Sequence, residues 1–86
     1  MGFGAALKAL EAGERVCRDG WNGKGMWLYY VPPANYPAMT KAAREHIGPQ
    51  VPYGGYIAMK TAQGNVVPWL ASQTDVLAHD WTILSG

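Results

Sequence analysis

The chain has a single cysteine, a single phenylalanine and few charges. Cys17 alone excludes an internal disulfide, and with His46 and His79 scattered elsewhere it matches no zinc spacing, so no metal or cofactor is expected. Charged residues make up 15% of the chain, against roughly 25% in an average soluble domain. The net charge is +1, and no basic stripe is visible. That excludes partners held by many phosphates, so neither long nucleic acid nor an acidic membrane surface is expected. No apolar run approaches the about 18 residues of a membrane span, and no basic-then-hydrophobic secretion signal opens the chain. A soluble, cytoplasmic protein is the expectation.

What is present is aromatic. Four Trp and five Tyr sit among 86 residues, supplying amphipathic surface of the kind used at oligomer interfaces and stacking sites. The length implies one domain, residues 1–86. A domain this small is marginal without disulfide or metal. Self-association is then the expected source of further stability.

Along the chain the reading is α+β: an N-terminal helix and one or two short helices packed with a small antiparallel sheet of four to five strands. Phe3, Leu7 and Leu10 fall on one face of a helix from Phe3 to Glu11, stopped at Gly13. A helix of about ten residues is unstable alone and must lie on a sheet. Arg15–Arg18 is a short strand, followed by a glycine-rich loop. Met26–Val31 is the strongest strand, with apolar residues on both faces, so both should be covered. Pro32–Gly55 reads as an excursion, irregular after Pro37 except for a short helix Lys41–Ile47 capped by Thr40. Tyr56–Thr61 and Val66–Val67 form a hairpin about a turn containing Gly64. Ser72 or Thr74 caps a helical turn, and Trp81–Leu84 is the last strand.

Catalysis finds little support. Asp75, His79 and Asp80 are close in sequence, yet a carboxylate and an imidazole four apart on a short helix, before a turn aspartate, read as surface structure. Cys17 lies between two arginines, with no histidine nearby in sequence to act as base, and reads as a small buried hydrophobe. GWNGKGM (Gly20–Met26) lacks P-loop spacing and precedes a strand where a helix would be needed, but its backbone N–H groups and Lys24 suit an anion. Trp69 and Trp81, taken singly, read as core. Trp21, in a glycine-rich loop, has reason to be there only if it packs on something, and a ring stacked on a base contributes about 1–3 kcal/mol.

Two stretches, FGAALKALEAGERVCRDGWNGKGMWL and YIAMKTAQGNVVPWLASQTDVLAHDW, closely resemble the phage and prophage family Thoeris anti-defence 2. The motifs GWNGKGM and PWLASQTD (Pro68–Asp75), in this order, carry the likeness, which leaves out mainly residues 29–54. The resemblance implies a molecular sponge, not an enzyme. Such proteins bind a cyclic ADP-ribose isomer of the glycocyclic type, made by a Thoeris TIR-domain protein. Sequestration leaves the NAD-depleting effector off. Some members are similar to sponges for CBASS cyclic oligonucleotides, which use a second pocket. It also implies a homotetramer with ligand pockets at subunit interfaces, working in the host bacterial cytoplasm.

By the same resemblance the pocket is lined by Trp21, Asn22, Gly23, Lys24, Gly25 and Met26 from the first motif, and by Trp69, Leu70, Ala71, Ser72, Gln73, Thr74 and Asp75 from the second. On that basis Trp21, Trp27 and Trp69 are assigned to stack on adenine. Asn22, Ser72, Gln73, Thr74 and Asp75 would take the ribose and the polar base edges, and Arg18 and Lys24 the phosphates. Leu77 and Trp81 are assigned to hold the sheet. The competing readings are a single-strand-binding or structural module, which requires salt-sensitive oligonucleotide binding, and a nucleotide hydrolase, which requires turnover.

Overall fold

The computed structural model describes residues 1–21 and 24–85, and Asn22 and Gly23 of the first motif lie outside the described residues. Helix α1 (Phe3–Glu11) is followed by β1 (Arg15–Arg18), a 3-10 turn Asp19–Trp21, and β2 (Trp27–Val31). Then come β3 (Ala34–Pro37), α2 (Lys41–His46), β4 (Gln50–Tyr53), β5 (Tyr56–Lys60), β6 (Val66–Pro68), α3 (Gln73–Leu77) and β7 (Trp81–Leu84). Five strands form one antiparallel sheet in the order β6-β5-β2-β1-β7. The fold is α+β.

Register decides which side chains share a face, because residues directly opposite in an antiparallel pair point the same way. Val16 pairs with Leu28, Leu28 with Met59, and Arg18 with Trp81. Alanine at positions 6 and 9 lets α1 approach this face closely, so that Ala6, Ala9 and Leu10 bury Val16, Leu28 and Trp81. The helix and its sheet partner stabilise one another. Burying an apolar side chain of Leu or Val size contributes about 1.5–3 kcal/mol, which a lone nine-residue helix cannot supply.

The other face carries Arg15 and Cys17 from β1, Trp27, Tyr29 and Val31 from β2, Ala58 and Lys60 from β5, and Leu84 from β7. Among the described residues no helix covers it. The expectation that both faces of β2 are covered is therefore met on one side only within a single chain.

Residues 32–55 hold more order than their prolines suggest. β3 and β4 pair antiparallel as a separate ribbon, Ala34 with Tyr53 through Pro37 with Gln50, with α2 between them. Pro37 and Pro52 are tolerated because each strand of a two-stranded ribbon has an open edge where a missing N–H costs nothing. This arm projects from the body. The radius of gyration is 15.1 Å and the extents are 44 × 28 × 26 Å, where a compact chain of this length would have a radius of about 12 Å. At its base, a Cβ on Gly55 would overlap the Tyr30 hydroxyl and lie 3.2 Å from Pro33. Any side chain there would force the Tyr30 ring to shift.

Candidate functional site

The second motif is built into the fold. Trp81 is 1% exposed and meets Phe3, Trp21 and Trp69 with ring centroids 5.4, 5.6 and 6.0 Å away. The Trp21 and Trp69 contacts are edge-on, the arrangement favoured by aromatic quadrupoles. The ring for which the glycine-rich loop offered no partner, Trp21, packs on Trp81. Trp81 Nε1 also donates to the Asp75 carbonyl at 2.9 Å, tying α3 to β7.

Ser72 caps α3 in a full capping box. Its Oγ accepts from Asp75 N at 3.1 Å, and Asp75 Oδ2 accepts from Ser72 N and Oγ at 3.3 and 2.8 Å. Asp75 Oδ1 accepts from Arg18 Nη1 at 2.9 Å, so both carboxylate oxygens are engaged. Arg18 Nε donates to Asp80 Oδ1 at 2.8 Å, and Asp80 Oδ2 accepts from Gly20 N at 2.8 Å. One guanidinium thus joins the 3-10 turn, α3 and β7.

These bonds set the ionisation of the group. Burial pushes the Asp75 carboxyl up, but the bonds from Arg18 and Ser72 outweigh it and hold it below the usual carboxylate range. The Arg18 guanidinium, with help from Gly20 N, does the same for Asp80. Bonds to both carboxylates, Asp80 first, raise Arg18 further above its already high value. All three are charged at neutral pH, a cation flanked by two anions. A phosphate approaching Arg18 therefore meets a group with a local balance of −1. Burial, with Asp19 nearby, pushes the Cys17 thiol up, which keeps it protonated and a poor nucleophile.

The first motif is arranged differently. Trp21, Lys24, Gly25 and Met26, with Cys17, Arg18, Trp27 and Leu84, surround a depression of about 170 Å³ at the end of the sheet. Trp27 stands on the open sheet face, with Tyr29 at 5.6 Å and the Arg15 guanidinium 5.2 Å from its ring centroid. Lys60, opposite Trp27 in the β2–β5 register, donates its ammonium to the Gly25 carbonyl at 3.1 Å, at the rim of the depression.

Arg18, Trp21, Lys24, Gly25, Met26 and Trp27 are therefore gathered around one hollow. Trp69, Leu70, Ala71, Ser72, Gln73, Thr74 and Asp75 are not part of it, although Arg18 and Trp21 join the two regions. Leu70 is 91% exposed, and Gln73 and Thr74 also face solvent. Trp81 holds the sheet, but Leu77 does not: it is 70% exposed, because the single turn of α3 directs it away from the core. Lys60, Arg15 and Leu84 were missed by sequence reasoning. The Gly64 turn sets Lys60 opposite Val66, but the β2–β5 register that sets it opposite Trp27 is a property of the assembled sheet.

Among the described residues no group of His, Cys, Asp and Glu could hold a metal ion, and no helix is long and apolar enough to cross a membrane. Residues 1–84 match the Thoeris anti-defense 2-like domain. The chain is 43% identical over 89 aligned residues to Thoeris anti-defense 2 of Bacillus phage SP01, covering 99% of this chain and 96% of that protein. The chain belongs to the Thoeris anti-defence 2-like family.

Proposed function

We propose that this member of the Thoeris anti-defence 2-like family is a phage anti-defence protein that binds and sequesters a cyclic nucleotide immune signal without cleaving it. The expected ligand is a cyclic ADP-ribose isomer, with cyclic oligonucleotides as the second class to test. The observation that carries this reading is the hollow at the first motif, which combines two indole rings, a glycine-rich backbone and a lysine at one end of the sheet. A sponge needs affinity and no reacting group. The carboxylates that a hydrolase would use, Asp75 and Asp80, are already engaged by Arg18.

The hollow supports an oligomeric site. At about 170 Å³ it takes a ring or a phosphate, whereas small-molecule sites usually enclose about 300 Å³ or more. A second copy on the open sheet face would complete it. Val31, Tyr56 and Val66 line that face, while Tyr36, Met39, Ile47 and Tyr53 stand exposed on the projecting arm. Exposed apolar surface on this scale in so small a chain suits a homotetramer with pockets between subunits.

Native mass spectrometry with cyclic ADP-ribose isomers and cyclic oligonucleotides tests both parts. The expected result is a tetramer carrying intact ligand at a fixed stoichiometry, with unaltered ligand recovered after heat denaturation. Product beyond one equivalent per site would make the protein an enzyme. A monomer that binds none of these ligands would remove the reading altogether.

A further inference from the structure

If the ligand is a cyclic nucleotide, as proposed above, its phosphates need cations, and the structure narrows which cations can serve. Arg18, the arginine nearest the hollow in sequence, is matched by two carboxylates at 2.9 and 2.8 Å. Taking a phosphate there would mean breaking two charge-assisted bonds, or adding a third anion to a group that already holds two. Lys24 and Lys60 differ. Lys24 is exposed on the loop, and the bond of Lys60 is to a neutral carbonyl, Gly25 O. Among the described residues neither lysine lies within ion-pair distance of a carboxylate, so both charges lack a carboxylate partner.

We propose that Lys60 and Lys24, beside Trp27 on the open face of the sheet, form the anion-binding half of the site and take the ligand's diphosphate, while Arg18 braces the fold. Placement supports this division. Lys60 leaves β5 directly opposite Trp27, so its ammonium and the indole ring rise from the same face of neighbouring strands. Gly25, with φ 74°, takes the left-handed backbone that aims its carbonyl at Lys60, and a Cβ there would lie 3.9 Å from the lysine nitrogen. A base stacked at Trp27 would leave its phosphates beside this ammonium. A carbonyl bonded to a lysine is readily exchanged for a phosphate oxygen, since the anion is the stronger acceptor. The Arg15 guanidinium over the Trp27 ring adds positive potential to the same face.

The test uses the full chain with two probes, inorganic pyrophosphate and the cyclic ADP-ribose isomers. Binding is followed by the Trp27 indole N–H resonance and by calorimetry at two salt concentrations. Lys60→Met and Lys24→Met should each weaken the binding of both probes by about tenfold or more, the loss expected for a charge-assisted bond. Each should also flatten the salt dependence. Lys8→Met, which removes the same charge from the exposed side of α1, controls for net charge and should keep wild-type affinity. Thermal melts confirm that each variant is folded.

Wild-type affinity for pyrophosphate in Lys60→Met and Lys24→Met would overturn the assignment, as would equal losses in Lys8→Met or no response of Trp27 to pyrophosphate. If pyrophosphate binds in a lysine-dependent way but no cyclic nucleotide does, the anion site stands and the sponge reading falls. If cyclic nucleotides bind with no dependence on either lysine, the sponge reading stands and the anion site falls.

Discussion

The two tryptophan-centred motifs look alike in composition, yet the structure uses them in opposite ways. In PWLASQTD the strong polar side chains are engaged inside the chain: Ser72 in the helix cap, and Asp75 in both the cap and the bond to Arg18. In GWNGKGM and the strand after it, Lys24 is exposed, the ammonium that reaches the loop rests on a carbonyl, and Trp27 stands on an uncovered face. A motif's residue types show which interactions are possible. What its groups are already bonded to shows which remain for a ligand.

The sharpest way to break that comparison is to remove one tryptophan from each environment. Trp81→Ala empties the centre of the aromatic cluster and should cost about 3–5 kcal/mol. That is a large part of the roughly 5–15 kcal/mol that holds such a domain together. Trp27→Ala removes a half-buried ring with no helix over it and should cost about 1 kcal/mol, while ligand binding is lost. Urea unfolding of both variants measures the difference. Equal losses of stability would mean that Trp27 is as much a part of the core as Trp81.

Acid offers a second separation. Asp75 and Asp80 have folded-state pKa values held below the ordinary range. Their contribution is therefore fully present above the unfolded value of about 3.9 and is lost as pH falls through the lower folded values. The thermal midpoint should drop steeply below about pH 4. Arg18→Met removes the cation that lowers both values, so this variant should start from a lower midpoint and show a shallower acid slope. Parallel curves for the variant and the wild type would show that Arg18 does not hold the two carboxyls below their ordinary range.

The elements of the body were legible because each carried a local signal. The apolar spacing and Gly13 bounded α1, Gly64 at φ 98° turned the β5–β6 hairpin, and Thr40 capped α2. The ribbon of the arm was not, because proline in a strand argues against a strand unless an open edge is known, and edges are a property of the assembled sheet. The same limit hid the character of the site. Nothing in the order of residues says that Arg18 meets Asp75 and Asp80, 57 and 62 positions away, or that Lys60 stands opposite Trp27. Residue type and spacing nominated Arg18 for phosphate. Its long-range partners tell against that role.

The smallest effect tests whether the side chains of the second motif are held as firmly as their bonds imply. Ser72→Ala deletes the N-cap oxygen of α3, a change that usually costs about 1 kcal/mol, and leaves Asp75 Oδ2 with the Ser72 N–H alone. Ser72→Thr keeps a hydroxyl in the same place and should recover most of the loss. The difference between the two variants isolates the cap from any effect of altered bulk, and denaturant midpoints measured together can resolve it. A short helix with no buried residues depends heavily on its cap, and loosening it would also free Asp75 from its hold on Arg18. If Ser72→Ala proved neutral, the box would not be holding α3. Asp75 would then be held by Arg18 alone, and the contrast between the motifs would narrow.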